Sequence, residues 1–98
     1  MRFAVAPEAL ADLDAIVVYL TREAPSVVVG LEARLAEIFE LIKENGHAGR
    51  ATNRRHIRVL NTRPYPYLVF YRSTSSETRV LRIIHGARNP RSMPGRVR

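Results

Sequence analysis

Two short runs of β-branched and aromatic residues, Tyr67–Tyr71 (YLVFY) and Val80–Ile84 (VLRII), stand on either side of the polar stretch Ser73-Thr74-Ser75-Ser76. Side chains of this kind suit a pleated, half-buried surface, and a polar turn between two such runs marks a β-hairpin. The hairpin segment extends over Arg63–Pro90. At its far end the second strand delivers His85, Gly86, Ala87 and Arg88, a titratable ring and a fixed cation beside a glycine that can permit a turn.

The remaining chain supplies what such a hairpin needs for packing. Arg2–Val5 is a short strand candidate. Pro7 then occupies a first helical turn, where the missing N–H costs nothing. Leu10, Leu13, Val17 and Leu20 follow at helical spacing, with Glu8, Asp12 and Asp14 placed toward the helix start, where the dipole favours carboxylates. Pro25 ends this helix or opens the next. Val28, Leu31, Leu35, Ile38 and Ile42 form a second seam, widened by Phe39 and Leu41, and Asn45-Gly46 stops it. A polar, basic loop, His47–Arg55, leads to strands over His56–Leu60, Tyr67–Arg72 and Thr78–Ile84. Alternation places Ile57 and Val59 on one face and His56, Arg58 and Leu60 on the other. In the last strand it places Leu81 with Ile83, and Val80, Arg82 and Ile84 opposite. An arginine within each strand implies one sheet face on the helices and a second that is partly wet and cationic. The expected fold is α+β, in the order β-α-α-β-β-β: an N-terminal strand and an antiparallel helical hairpin packed on a mostly antiparallel β-sheet. Residues 1–90 make one domain, and residues 91–98 are expected to be a flexible basic tail.

Charge narrows the partners. Of the net +7, residues 1–49 contribute −4 and residues 50–98 contribute +11, and all twelve basic side chains in the second half are arginine. Arginine offers a fork of donors matched to carboxylate or phosphate and stays charged near neutral pH. An anionic partner is expected, either nucleic acid or an acidic protein segment. The chain has no cysteine, so disulfides and thiolate metal sites are excluded, and no metal or cofactor is expected. Apolar runs are too short for a membrane-spanning helix and the N-terminus lacks a signal pattern, so a cytoplasmic protein with no membrane partner is expected.

Several segments also carry a family likeness. The proline-flanked aromatic approach to YLVFYR, the closing VLRIIHGARN, the first-helix stretch Ala6–Leu20 (APEALADLDAIVVYL), Ala24-Pro25 and Gly49-Arg50 appear in order and at the expected separations. Together they resemble the RelE/ParE superfamily of bacterial toxin–antitoxin systems, and its ParE branch in particular, over nearly the whole chain. The resemblance implies a toxin of a type II module that acts by binding, with DNA gyrase as target. It also implies neutralisation by a ParD-like antitoxin, usually encoded next door, and DNA contact only through the antitoxin or gyrase complex. The antitoxin's C-terminal segment would fold onto the toxin with its acids against the arginines. Val18, Val27 and Val29 are the candidate apolar contacts for it.

The same superfamily includes ribosome-dependent mRNA endonucleases of the RelE kind. That chemistry needs a base for the ribose hydroxyl, cations around the phosphate and an acid for the leaving oxygen. Arg58, Arg72, Arg82 and Arg88 could supply cations and His85 an acid or base, so a metal-independent nuclease would rest on Arg58, Arg82 and His85. The base is lacking: where RelE-type nucleases carry lysines or a carboxylate, this chain has Arg50, Arg54, Arg55, His47 and His56, and Gly86-Ala87 replace an aromatic partner. Catalytic residues are therefore not expected, and Arg58, Arg72, Arg82, His85 and Arg88 are read as target-binding. His85 has an equally good structural role, a ring nitrogen bonded to backbone as the chain turns. Tyr65, Tyr67 and Tyr71 could stack on bases or fill a core. A third reading is an inactive toxin kept as an antitoxin-binding, autoregulatory module.

Overall fold

The computed structural model describes residues 2–87; Arg88 and the tail expected over 91–98 lie outside the described residues. The chain runs β1 (Arg2–Val5), α1 (Pro7–Glu23), α2 (Pro25–Glu44), β2 (Arg50–Ala51), β3 (Ile57–Asn61), β4 (Tyr67–Ser73) and β5 (Glu77–His85). The strands form a single sheet in the order β1-β5-β4-β3-β2. Three of its pairings are antiparallel, and β1 lies parallel to β5. The mostly antiparallel α+β architecture expected from the sequence is present, with one addition. The expected loop His47–Arg55 contains a two-residue edge strand, because Arg50 and Ala51 pair with Val59 and Arg58.

Both helices begin on a proline at the first helical turn, and Ala24 alone separates them. In α2 the seam Leu31, Leu35, Ile38 and Ile42 is buried as the spacing requires, whereas Leu41 is exposed. In α1 the small side chain of Ala9 faces the core instead of Leu10, which points to solvent. No glycine has positive φ among the described residues, so Gly46 does not stop α2 through a left-handed conformation. The stop is an extended Asn45, whose N–H donates to Leu41 O and whose side-chain oxygen accepts the His47 N–H at 3.0 Å.

The main core lies between the helices and one sheet face, and it includes Tyr67, Val69, Tyr71, Val80 and Ile83. Ile57, Val59, Phe70 and Ile84 form a second buried cluster, with Leu68 and Leu81 packed against it. Val80 with Ile83, and Leu81 with Ile84, reverses the facing expected for β5. The cause is a β-bulge: Phe70 is opposite Arg82 and Tyr71 is opposite Val80, so Leu81 is an extra residue that shifts the alternation. The second cluster also corrects the expected wet, cationic sheet face, whose centre is instead apolar.

Two polar clamps hold the loops. The buried Thr62 hydroxyl accepts the Tyr67 N–H and lies 3.1 Å from the carbonyls of Tyr65 and Tyr67, fixing the turn into β4. The Tyr71 hydroxyl accepts the Gly49 N–H at 2.8 Å and donates to Gly46 O at 2.9 Å, tying the α2–β2 loop to the sheet.

Candidate functional site

Two concave regions face opposite chemistries. The first is a groove of about 840 Å³ between α1, the Tyr65–Tyr67 approach and the last residues of β5. It exists because β1 is shorter than β5. The parallel pairing ends at Val5 opposite Val80, Ala6 N–H closes on Val80 O, and the chain leaves the sheet as α1. From there Asp12 on α1 takes over the open edge. Its carboxylate accepts the Ile83 N–H at 2.9 Å and receives the Arg82 guanidinium in a fork, through Nε at 2.7 Å and Nη2 at 3.0 Å. The hydrogen bond that Arg82 donates to Asp12 holds the Arg82 pKa above the ordinary arginine value, with partial burial opposing it. Arg82, read from the sequence as a free anion receptor, is thus engaged inside the molecule.

The groove's other wall comes from Tyr65, which packs its hydroxyl end directly over Gly30 of α2; a side chain at that glycine would collide with it. Apolar surface comes from Ile16, Leu20, Val27 and the exposed Tyr19. His85 closes the end. Its ring packs edge-on to Tyr67 with centroids 5.5 Å apart, and its Nδ1 accepts the Ala87 N–H at 3.1 Å. The backbone-bonding role is therefore present, and it leaves Nε2 as the nitrogen that carries the proton in the neutral ring. Gly86, expected to permit the turn by its conformational freedom, has ordinary φ, and an added Cβ would make only ordinary contacts.

The second region is a cavity of about 380 Å³ over the β2–β3 loop, lined by His47, Arg54, Arg55, His56 and Arg58 among ten residues that include no carboxylate. The buried Thr52 hydroxyl organises this loop by donating to Ile57 O at 2.9 Å and accepting the Arg54 N–H at 3.1 Å. His56 takes a left-handed φ of 65°, an uncommon geometry for a residue with a side chain, and this turns the chain into β3. Arg58 is fixed by donating to Gly49 O at 2.9 Å.

The chain matches the family model described as the ParE toxin of the type II toxin–antitoxin system parDE over residues 3–90. It belongs to the ParE toxin family. Among solved structures, one from the chromosomal ParDE toxin–antitoxin system of P. aeruginosa superposes with a TM-score of 0.71 at 26% identity, covering 87% of this chain and 95% of that one. No curated protein sequence matches. The chain is therefore a ParE-type toxin of a toxin–antitoxin system, as the first-helix and YLVFYR segments implied.

Within this ParE-type fold, the residues picked out from sequence do not form one constellation. Arg82 and His85 line the groove, Arg58 lines the basic cavity, and Arg72 is exposed on β4 opposite Ile57 and Arg79. Val18 and Val29 are exposed as expected, whereas Val27 is half-buried against the core and contributes to the groove wall. Tyr67 and Tyr71 are buried, so neither offers a free face for base stacking. The sequence reading missed Asp12 as a groove residue. Its one available signal was position: an acid on α1 with Leu13 and Ile16, at a helix start already supplied with Glu8. No helix among the described residues is long and apolar enough to cross a membrane.

Proposed function

We propose that this toxin acts by binding, inhibits DNA gyrase, and is neutralised by a cognate ParD-like antitoxin. The observation that carries the binding reading is the state of the strand-end cations. Arg82 is held in a fork by Asp12, and His85 spends Nδ1 on backbone. A nuclease would need both poised around a phosphate together with a base, and Arg58 lies in the other cavity. The gyrase target rests on family membership. The antitoxin reading rests on the ParDE relationship and on the groove, whose apolar floor and exposed Tyr19, beside the polar Asp12–Arg82 pair, suit an amphipathic segment that folds as it binds.

Inducible expression in bacteria tests the reading. Gyrase inhibition produces filamentation and a DNA-damage response with intact mRNA, and purified toxin inhibits supercoiling by gyrase until antitoxin is added. Codon-phased mRNA cuts that disappear in His85→Ala would overturn it.

A further inference from the structure

The basic cavity over the β2–β3 loop has no role in the groove or in the reading above, yet it is built as a receptor. Three arginines and two histidines face one space of about 380 Å³, and no acidic side chain lines it. Among the described residues, Arg54 and Arg55 have no carboxylate partner; the ion pairs use Arg34, Lys43, Arg79 and Arg82 instead. A set of like charges held together without counter-ions raises the local positive potential and favours an anion. The loop backbone and one of the donors are also fixed in advance. The Thr52 hydroxyl holds the loop backbone on which Arg54 and Arg55 sit, and Gly49 O holds Arg58. Such pre-organisation reduces the ordering cost of capturing a ligand.

The lining also distinguishes between kinds of anion. An acidic peptide is bound through apolar anchors as well as charge, and only Ala51 and Ile57 are apolar here. A polar, strongly positive surface is the character of a nucleic-acid interface. The positive charge also continues beyond the cavity to Arg72, which is paired with Ile57 on its wall; Arg79, opposite Arg72 across the next strand, is offset by Glu77. A single ion would not use that continuation; a chain of phosphates would.

We propose that this cavity is a phosphate-binding site that takes the backbone phosphates of a nucleic-acid strand. Arg54 and Arg55 act as the capturing donors and Arg58 as the fixed donor at its base. The site is independent of the gyrase reading, since it concerns direct contact between this chain and nucleic acid.

Fluorescence anisotropy with a labelled oligothymidylate of about ten nucleotides, a length within the range single-strand sites cover, gives the test. The double variant Arg54→Ala/Arg55→Ala, both exposed positions, is compared with Arg22→Ala on the exposed side of α1, and each fold is checked by circular dichroism. The expected result is at least about tenfold weaker binding for the double variant, with a log–log salt slope shallower by about 1.4, two contacts at roughly 0.7 each for a single strand. Arg22→Ala should match the parent. Inorganic phosphate and pyrophosphate, titrated separately, identify the source of the anion. Competition by them alongside oligonucleotide binding supports the site. Phosphate binding without oligonucleotide binding overturns the nucleic-acid assignment. Absence of binding to oligonucleotide and to both inorganic anions, or oligonucleotide binding equal in parent and double variant, overturns the proposal outright. Amide shifts on oligonucleotide addition should centre on residues 52–58, and shifts confined to the groove would likewise refute it.

Discussion

Replacing Tyr71 by phenylalanine removes one oxygen and leaves the ring, so it isolates the hydroxyl clamp on the α2–β2 loop. In the parent that hydroxyl serves two backbone groups, the Gly49 N–H at 2.8 Å and the Gly46 carbonyl at 2.9 Å. Gly49 is buried, so its N–H has no water to turn to, and leaving a buried donor unsatisfied costs about 1–3 kcal/mol. Gly46 is half-buried and its carbonyl recovers part of its loss from solvent, adding at most about 1 kcal/mol. A net loss of about 2–3 kcal/mol is a large share of a stability that for a small domain is about 5–15 kcal/mol. For a chain of this size it lowers Tm by roughly 4–8 °C per kcal/mol. Urea unfolding followed by far-ultraviolet circular dichroism measures it as a fall in midpoint at unchanged slope. The control is Tyr19→Phe, an exposed position where the change should stay within about 0.5 kcal/mol. Alkaline pH gives a second readout. Burial raises the Tyr71 pKa above the ordinary 10.0, with the Gly49 hydrogen bond and the Arg58 charge opposing. The unfolded chain therefore loses this proton first, and parent stability falls as pH rises past 10.0 toward the folded value. Tyr67, raised by burial and by Tyr19, adds to the same alkaline loss. Tyr71→Phe should show a shallower alkaline decline than the parent. A midpoint equal to that of Tyr19→Phe, or an unchanged alkaline limb, would refute the clamp.

Three further outcomes follow from the geometry. Asp12→Asn weakens the charged fork to Arg82, and because Arg82 remains about a third exposed, solvent screening brings the cost to about 1–2 kcal/mol, at or below the lower end of the roughly 1.5–3 kcal/mol usual for charged hydrogen bonds; chemical denaturation measures it, and hydrogen exchange should report faster opening at Ile83. Gly49→Ala should destabilise by about 1–3 kcal/mol because an added Cβ would lie 2.8 Å from both the Tyr71 hydroxyl and Val59 O, whereas Gly86→Ala should stay within about 0.5 kcal/mol; equal thermal midpoints for the two would contradict the packing argument. Gly30→Ala should keep the fold, since alanine favours the helix by about 1 kcal/mol and Tyr65 can swing aside, but the displaced ring should lower affinity for the antitoxin segment in a calorimetric titration.

What could be read from the residues was what period and composition control. The α2 seam, the alternation in β3 and the hairpin all follow from local pattern, and the structure contains them. The facing of β5 was not legible, because one bulged residue, Leu81, shifts every later side chain and leaves no mark in composition. Leu10 illustrates a different limit: its spacing fits the seam, but α1 presents the smaller Ala9 to the core instead. At the site, arginine content announced anion affinity without saying which arginines were already spent. Arg82 and Asp12 are 70 residues apart, and such pairing is a property of topology. The cavity's arginines were visible as a basic loop; that Thr52 and His56 shape this loop into a concave surface required coordinates.

The parallel seam between β1 and β5 has a consequence for synthesis. Among the described strands, the earliest made is completed by the latest, since Arg2–Val5 pair with Glu77–Val80. While the chain is emerging, β1 has no neighbour to lie against, and the inner faces of both helices wait for sheet residues such as Tyr71, Val80 and Ile83. Local helices can form early, but contacts spanning so much sequence form late, after the loop-closure entropy has been met. A prematurely terminated chain lacking β5 has neither the groove nor the partner for β1. Completion of the sheet, and of the groove with it, is thereby tied to the synthesis of β5.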